Sequence, residues 1–264
     1  FPIEILRPHD LVALEIKGGE VTGLTLLAPA LEEPPRLSSS AEWQGKWFDF
    51  LSKVRQFFAG KGFAEAQTPS LVACPGTEPF LDLFSTDFVV GSASRKLYLP
   101  TSPELHLKKM LAGGYEKIFE IRPCFRNGEI SGRHQPEFWM LEWYRAYADL
   151  EQIMQDVLHL IDFLGGEGSG IPRRAVGRLF PEKINFQLTP QTAIDELKTL
   201  GARLDLRVEN FDLWDDVFYF IFVEKIERDL PSDQPLIVEK YPPSQAAFAR
   251  LTPDGWGERF ELYW

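Results

Sequence analysis

The most constraining feature of this sequence is a pair of strand-like segments joined by a long polar loop. Residues 117–126 and 137–147 are rich in aromatic and aliphatic side chains, and the loop between them reads NGEISGRHQP. This spacing predicts an antiparallel hairpin. Long loops inside compact domains are usually functional. We therefore look for chemistry where the hairpin meets its loop.

Side chains alternate between the two faces of a strand, which makes a specific prediction for the second segment. Phe138, Glu142 and Tyr144 share one face with Met140. A carboxylate in the middle of such a strand is costly to desolvate alone, so Glu142 requires a cationic partner. Two partners remain open. One is a core base such as Arg122, and the other is the amine of a ligand, with the Tyr144 hydroxyl beside the carboxylate.

The first segment ends in Arg126, directly before the loop. Its arginine-bearing face is either a solvated edge or an anion site. A fixed guanidinium can hold a phosphate through two hydrogen bonds, and Arg133 and His134 add donors at the far end of the loop. Phe138 supplies an aromatic ring as the chain returns. These residues predict a site for a phosphate and a ring.

Composition excludes several classes of protein. The 28 Lys and Arg residues against 39 Asp and Glu residues give a net charge of −11, the wrong sign for a protein that mainly holds nucleic acid by its phosphates. The two cysteines form no Cys-x-x-Cys motif, which argues against a zinc site. The apolar run at 217–223 is far shorter than the ~20 residues that span a bilayer. We expect a cytoplasmic protein that does not enter membranes.

The order of predicted elements indicates an α+β protein. Residues 1–27 predict two short strands around Gly18 and Gly19, and a Pro- and Ser-rich linker follows to residue 40. Strands and helices then occur in separate runs, which favours a domain built on an antiparallel sheet flanked by helices. We therefore divide the chain into an N-terminal β-hairpin appendage with its linker, 1–40, and a main domain, 41–264.

Local signals place the elements of the main domain. The predicted elements are a helix from about 43 to 60, a strand ending at Thr68 and Pro69, a helix after Ser102 and Pro103 that stops at Gly113, helices from about 189 and over 212–229, and strands over 236–241 and near the C-terminus. The Gly-, Pro- and Arg-rich stretch 165–182 is typical of a mobile connection.

Several long segments in this order resemble the catalytic core of class II aminoacyl-tRNA synthetases of the lysyl type. They read TSPELHLKKMLAGGYEKIFEI, CFRN, RHQPEF, MLEWYRAY and RFELYW, and the resemblance covers about residues 40–164 and, more weakly, 185–264. The likeness is strongest to paralogues that lack an anticodon domain and attach lysine or β-lysine to elongation factor P. The helix from about 43 with Phe57, Phe58 and the strand to Pro69 resembles the family's first motif, which implies a homodimer.

The resemblance also implies roles for individual residues. Arg126 is the catalytic arginine on the ATP α-phosphate, and Phe138 stacks on adenine. The implied ATP-binding residues are Arg126, Glu129, His134, Phe138 and Glu261, with Mg²⁺ held by Glu261 through ATP, and the implied lysine-binding residues are Glu104, Glu142 and Tyr144.

Three features depart from the family's pattern. Gly128 stands where the family commonly has a glutamate, with Glu129 next to it, and Gln135 replaces an asparagine. The family's third motif, which supplies a second arginine, lies beyond Trp264, so the resemblance implies a catalytic domain that is incomplete at its C-terminus.

The implied function is that of an ATP-dependent ligase. It forms lysyl-adenylate with ATP and Mg²⁺ and transfers the lysyl or β-lysyl group to a lysine of elongation factor P. A tRNA acceptor is the first alternative, although the ~40 residues before the first motif are too few for an anticodon-binding OB barrel. A non-catalytic paralogue is the second, because of Gly128 and the missing third motif. The choice between α- and β-lysine stays open.

Overall fold

The computed structural model describes residues 11–17, 20–28, 41–76, 81–131 and 134–264. Contacts along the chain divide it into two compact units, Phe1–Leu51 and Ser52–Trp264. Each unit is described by itself. The predicted turn at Gly18 and Gly19 and the predicted linker lie outside the described residues, as does Arg133.

The first unit contains the predicted N-terminal strands. β1 (Leu11–Lys17) and β2 (Glu20–Ala28) pair antiparallel, which confirms the two strands. The helix α1 (Ala41–Gly60) begins in this unit and ends at the predicted glycine. Gly62 follows with φ +79°, a left-handed conformation that favours glycine and prevents the helix from continuing.

The second unit combines helices with small sheets. Two three-stranded sheets have the orders β3-β6-β7 and β10-β9-β8, and β4 and β5 form a separate antiparallel pair. The strands are β3 (Ala64–Glu65), β4 (Ser85–Val90), β5 (Ala93–Tyr98), β6 (Lys117–Phe125), β7 (Glu137–Arg145), β8 (Arg173–Ala175), β9 (Leu236–Tyr241) and β10 (Gly257–Tyr263). The helices are α2 (Glu104–Ala112), α3 (Leu150–Phe163), α4 (Val176–Ile184), α5 (Ile194–Arg203) and α6 (Trp214–Lys225).

The α+β class is confirmed, and the sheets are mixed rather than wholly antiparallel. β6–β7 and β9–β10 are antiparallel pairs, whereas β3–β6 and β8–β9 are parallel. The predicted strands at 117–126, 137–147 and 236–241 are confirmed, to within two residues at their ends. The helix expected from about 189 begins at Ile194, because Thr189 and Thr192 first close a turn through their side chains.

The aromatic residues near the end of α1 are covered by other residues of the same chain. Phe57 and Phe58 are buried and pack with Phe63 and Phe119 in a core cluster of this same chain. The Phe58 ring stacks on that of Phe119, with centroids 4.8 Å apart. The expectation that Phe57 and Phe58 form a dimer surface is therefore wrong, since their own core already covers them.

The strand expected to end at Thr68 and Pro69 is also wrong. β3 comprises only Ala64 and Glu65. Beyond it, the Arg122 guanidinium donates hydrogen bonds to the carbonyl oxygens of Thr68 at 3.2 Å and Pro69 at 3.1 Å. A side chain thus satisfies backbone acceptors that a strand would satisfy through a ladder.

The stretch 165–182 is not an irregular connection, and that prediction is wrong as well. It contains a short 3₁₀ turn at Gly168–Gly170, then β8 and most of α4. Val176, Leu179 and Phe180 are fully or almost fully buried in the largest core cluster. Their helical spacing outweighs the flanking glycine and proline.

Membrane insertion finds no support among the helices. Within the ranges given above, none combines the length and the apolar character that a bilayer-spanning helix needs.

Candidate active site

The β6–β7 hairpin sets the geometry of the candidate site. Its register places Glu120 opposite Glu142 and Cys124 opposite Phe138, so these residues share one face, as the alternation predicts. Phe138 and Glu142 are four residues apart on the same strand, which corresponds to about 14 Å. The hairpin therefore presents two separate ends of one surface.

Glu142 lies in the half of β7 that is farther from the loop and accepts hydrogen bonds from two hydroxyls. The Tyr144 hydroxyl is 3.1 Å from its Oε2, and the Ser102 hydroxyl also bonds to the carboxylate. Burial, with smaller contributions from the nearby charges of Glu104 and Glu120, raises the pKa of Glu142 to about 7, although the two hydrogen bonds act in the opposite direction. This carboxylate is therefore poised to ionise near neutral pH.

Arg122 is not the partner of Glu142. The buried Arg122 lies 3.7 Å from Glu120 and donates to Thr68, Pro69 and Ser70. Within the described part of the chain, Glu142 has no ion pair. The expectation of a core base beside Glu142 is wrong, because the clamp on residues 68–70 occupies the guanidinium. Of the two candidate partners of Glu142, the amine of a ligand therefore remains.

Glu104 and Ser102 approach Glu142 from the start of α2. Pro103 already has helical dihedral angles, and the Ser102 hydroxyl accepts a hydrogen bond from the Glu104 amide at 3.3 Å. The same hydroxyl bonds to Glu142. Sequence reasoning used Ser102 only to begin the helix and missed this second contact. Its position two residues before Glu104 was the available signal.

Tyr144 is held by packing as well as by hydrogen bonding. Its ring packs against a small cluster that contains Leu107 and Ile118. Burial and the neighbouring Glu142 charge raise the pKa of the Tyr144 hydroxyl, so it stays protonated and donates. Glu104, Glu142 and Tyr144 are thus brought together, as the resemblance implies.

Arg126 and Phe138 lie together at the loop end of the hairpin. The guanidinium carbon is 5.1 Å from the centroid of the Phe138 ring, and Nη1 is 3.8 Å from the carboxylate of Glu129. The Nε of Arg126 is buried and has no hydrogen-bond partner among the described residues. A buried donor without an acceptor is costly and is ready for an anionic ligand.

The loop between β6 and β7 differs from the resembled sequence pattern at Gly128, where the backbone conformation favours glycine. Gly128 has φ +79°, which a glutamate side chain would rarely adopt. Asn127 next to it pairs with Asp82 through a backbone hydrogen bond of 2.9 Å. Glu129 contacts Arg126 despite its shifted position. A carboxylate is therefore present beside the arginine.

His134 is exposed and is held within the loop. The Oγ of Ser131 lies 2.9 Å from His134 Nδ1 and accepts from the His134 amide at 3.1 Å. Among the described residues, no hydrogen bond or ion pair joins the imidazole to Arg126 or Phe138.

Glu261 belongs to a different group of side chains on β10. One of its oxygens contacts the Arg259 guanidinium, and the other accepts from the Tyr263 hydroxyl at 3.0 Å. Over the described ranges, no hydrogen bond, ion pair or ring contact joins Glu261 to Arg126 or Glu142. The predicted site residues thus form three groups, with His134 separate from them, rather than one contiguous cluster.

A metal held by protein side chains alone finds no site in the described residues. No group of three or more His, Cys, Asp and Glu side chains there is arranged to hold an ion. Mg²⁺ usually keeps several waters and takes one or two carboxylates together with substrate phosphates. The partly exposed Glu261 fits a metal that arrives with a nucleotide.

Comparison with known proteins shows which family this chain resembles over most of its length. Residues 47–256 match the family model described as class II tRNA synthetases (D, K and N). The elongation factor P–(R)-β-lysine ligase of Haemophilus influenzae is 34% identical over 219 residues, covering 81% of this chain and 67% of the relative. The ligases of the same name from Hamiltonella defensa and Proteus mirabilis are 31% and 33% identical and cover 86% of this chain and 74% of each relative.

Proposed function

Because the chain belongs to the class II tRNA synthetase family, we propose that it is an ATP-dependent ligase that activates lysine or β-lysine and transfers it to elongation factor P. The relatives that carry this name match over most of the chain. The observation that carries the proposal is Glu142, a half-buried carboxylate with two hydroxyl donors and no cation among the described residues.

The proposed reaction has two steps, formation of the adenylate and transfer of the acyl group. A carboxylate oxygen of the amino acid attacks the α-phosphorus of ATP, the bond to the β-phosphate bridging oxygen breaks, and pyrophosphate leaves with that electron pair. A lysine amine of the acceptor then attacks the carbonyl carbon of the adenylate, loses a proton and releases AMP. The protein contributes mainly alignment and charge stabilisation.

Glu142 and Tyr144 select the side-chain ammonium of the substrate in this proposal. A ligand without that charge would leave the Glu142 carboxylate desolvated and unpaired, which costs a few kcal/mol. Glu104, at the first turn of α2, takes the α-amino group. The Ser102 hydroxyl supports both acids, because it bonds to the Glu104 amide and the Glu142 carboxylate.

Arg126 binds the α-phosphate and stabilises the charge that grows on it during attack. Its unpartnered Nε and its partly exposed guanidinium support this assignment. Phe138 offers its ring to the adenine, and Glu129 and His134 are assigned to the same nucleotide from the sequence resemblance. Glu261 is assigned to the magnesium carried by ATP, which neutralises phosphate charge when bound.

A protein acceptor is favoured over tRNA. The relatives are named for elongation factor P, and the net charge of −11 does not suit a nucleic-acid partner. An elongation factor acts where proteins are synthesised, so the proposal includes a cytoplasmic location.

The proposal also treats the two three-stranded sheets as parts of a class II synthetase-like antiparallel sheet flanked by helices. The antiparallel pairs β6–β7 and β9–β10 support this architecture.

A homodimer is part of the proposal, with different support from that first expected. The first half of α1 exposes Phe48 to 65% and Phe50 to 43%, and an aromatic helix surface of this kind suits a partner. Light scattering should give about twice the 30.2 kDa of the chain at micromolar concentration. A mass near that of one chain would overturn the dimer.

The substrate class is tested by a thermal-shift screen against the common amino acids and β-lysine. Lysine, β-lysine and analogues with a terminal amine should raise the melting temperature, whereas leucine and aspartate should not. Glu142→Gln should abolish the response to lysine. A preference for leucine or aspartate would contradict the proposal, and calorimetric titration with elongation factor P and with tRNA separates the two acceptors.

A further inference from the structure

Lys108 forms an ion pair with Glu104, one of the two carboxylates that the proposed function assigns to binding the amino acid substrate. It lies one helical turn after Glu104 on α2, and its ammonium contacts the Glu104 carboxylate. The same ammonium is 4.1 Å from the centroid of the Phe248 ring, which is 71% exposed. Lys108 therefore touches both a site carboxylate and an aromatic ring from a distant part of the chain.

The two acids of this region differ in their partners. Glu104 has Lys108, whereas Glu142 has only the hydroxyls of Ser102 and Tyr144 in the described residues. A ligand ammonium can reach Glu142 without displacing a cation. An ammonium that approaches Glu104 meets Lys108 first, and two cations at one carboxylate repel each other.

We propose that Lys108 is an internal counter-ion that holds Glu104 in the free protein and yields it to the α-ammonium of the substrate, while the Phe248 ring retains the displaced lysine. Lys108 is then a positioning residue for the amino-acid site. The proposal rests on the proposed function, since it takes Glu104 as the acid that receives the α-amino group.

The size of the effect follows from exposure. Lys108 and Glu104 keep 39% and 27% of their side-chain surface exposed, so the pair resembles a surface salt bridge. Such a pair changes an equilibrium by about two- to fivefold. Displacement is therefore easy, and only ligands that place a cation at Glu104 have to displace it. A ligand without an α-amino group leaves the pair intact.

The test is calorimetric titration of the wild-type chain, Lys108→Met and Lys109→Met with three ligands. Lysine has both ammonium groups, cadaverine lacks the carboxylate, and 6-aminohexanoic acid lacks the α-amino group. Lys109→Met is the matched control, because it removes the same charge from an adjacent, exposed position of α2. Circular dichroism confirms that each variant is folded.

Lys108→Met should tighten binding of lysine and cadaverine by about two- to fivefold and leave 6-aminohexanoic acid within twofold. Lys109→Met should leave all three within twofold. Phe248→Ala should weaken lysine binding in the wild-type background and not in the Lys108→Met background, because the ring acts only through Lys108.

Three results would overturn the proposal. Equal effects of Lys108→Met on lysine and 6-aminohexanoic acid would show a general charge effect. Weaker lysine binding with tighter cadaverine binding would show that Lys108 instead contacts the substrate carboxylate. Absence of lysine binding by the wild-type chain would remove the proposed function as well, which separates that failure from the other two.

Discussion

The two ends of the β6–β7 hairpin differ in charge and in what satisfies it. At the loop end, the Arg126 guanidinium lies over Phe138 and beside Glu129, so a cation and an aromatic ring are presented together. At the other end, Glu142 and its neighbour Glu104 present carboxylates, and Glu142 has no cation among the described residues. One face of a sheet thus presents a cation near one end and carboxylates near the other.

This difference indicates how one surface can align two substrates. In the proposed function, the phosphate of ATP binds at the end with Arg126, and the ammonium of the amino acid binds at the end with Glu142. The ends are about 14 Å apart along β7, so a ligand that carries an ammonium at one end and a nucleotide at the other can lie along the strand. Variants that change only one end should therefore affect only one substrate.

The largest expected effect comes from Glu142→Gln. The substitution keeps the shape and an acceptor for the Tyr144 hydroxyl but removes the charge that receives the ligand ammonium. Lysine affinity should fall by about 100-fold or more in calorimetric titration. ATP affinity should stay within twofold. An equal loss for both ligands would contradict the separation of the two ends.

Arg126→Ala is the reciprocal change. Loss of a charge-assisted contact to phosphate should cost about 2 kcal/mol of ATP binding, or roughly 30-fold in affinity, while lysine affinity should change little. Arg95→Ala, which removes the same charge from the exposed strand β5, is the matched control. If Arg95→Ala and Arg126→Ala weaken ATP binding equally, Arg126 has no special place in the site.

A smaller effect concerns stability and its dependence on pH. The pKa of Glu142 is raised from its ordinary value of 4.5 to about 7 in the folded state. Between these two pH values, the folded state keeps a proton that the unfolded state has released. Burial of this acid therefore destabilises the wild-type fold above pH 7 and not below pH 4.5. Solvent screening of the half-buried group reduces the expected cost to about 1–2 kcal/mol.

Glu142→Gln should consequently be more stable than the wild type by that amount at pH 8 and equally stable at pH 4. Urea unfolding at the two pH values measures the difference. Exposed Glu137→Gln on the same strand is the control, and it should show no such pH-dependent gain. A stabilisation that is the same at pH 4 and pH 8 would show that the charge is not its cause.

The hairpin and its faces could be predicted because they depend on local rules. Period-two alternation placed Phe138, Glu142 and Tyr144 on one face, and the register of β6 with β7 confirms it. The helix α2 was signalled by Ser102, Pro103 and the glycines at its end. Local signals of this kind need no knowledge of distant contacts.

The errors arose where distant parts of the chain decide the structure. Arg122 donates hydrogen bonds to residues 68–70, and these long-range contacts satisfy the backbone beyond β3 and occupy the expected partner of Glu142. The stretch 165–182 was misread because glycine and proline outweighed the apolar spacing of Val176, Leu179 and Phe180. The aromatic residues Phe57 and Phe58 gave no sign of which surface would cover them.

The most direct test of the central claim is the affinity of the wild-type chain for lysine measured by calorimetry from pH 6 to pH 8. If Glu142 is the unpaired acid that receives the ligand ammonium, only its ionised form binds, and its pKa of about 7 makes that form scarce at pH 6. Affinity should fall about tenfold from pH 8 to pH 6, and binding at pH 6 should release close to one proton, seen as a dependence of the heat on the ionisation enthalpy of the buffer. An affinity that is constant across this range, with no proton released, would contradict the account.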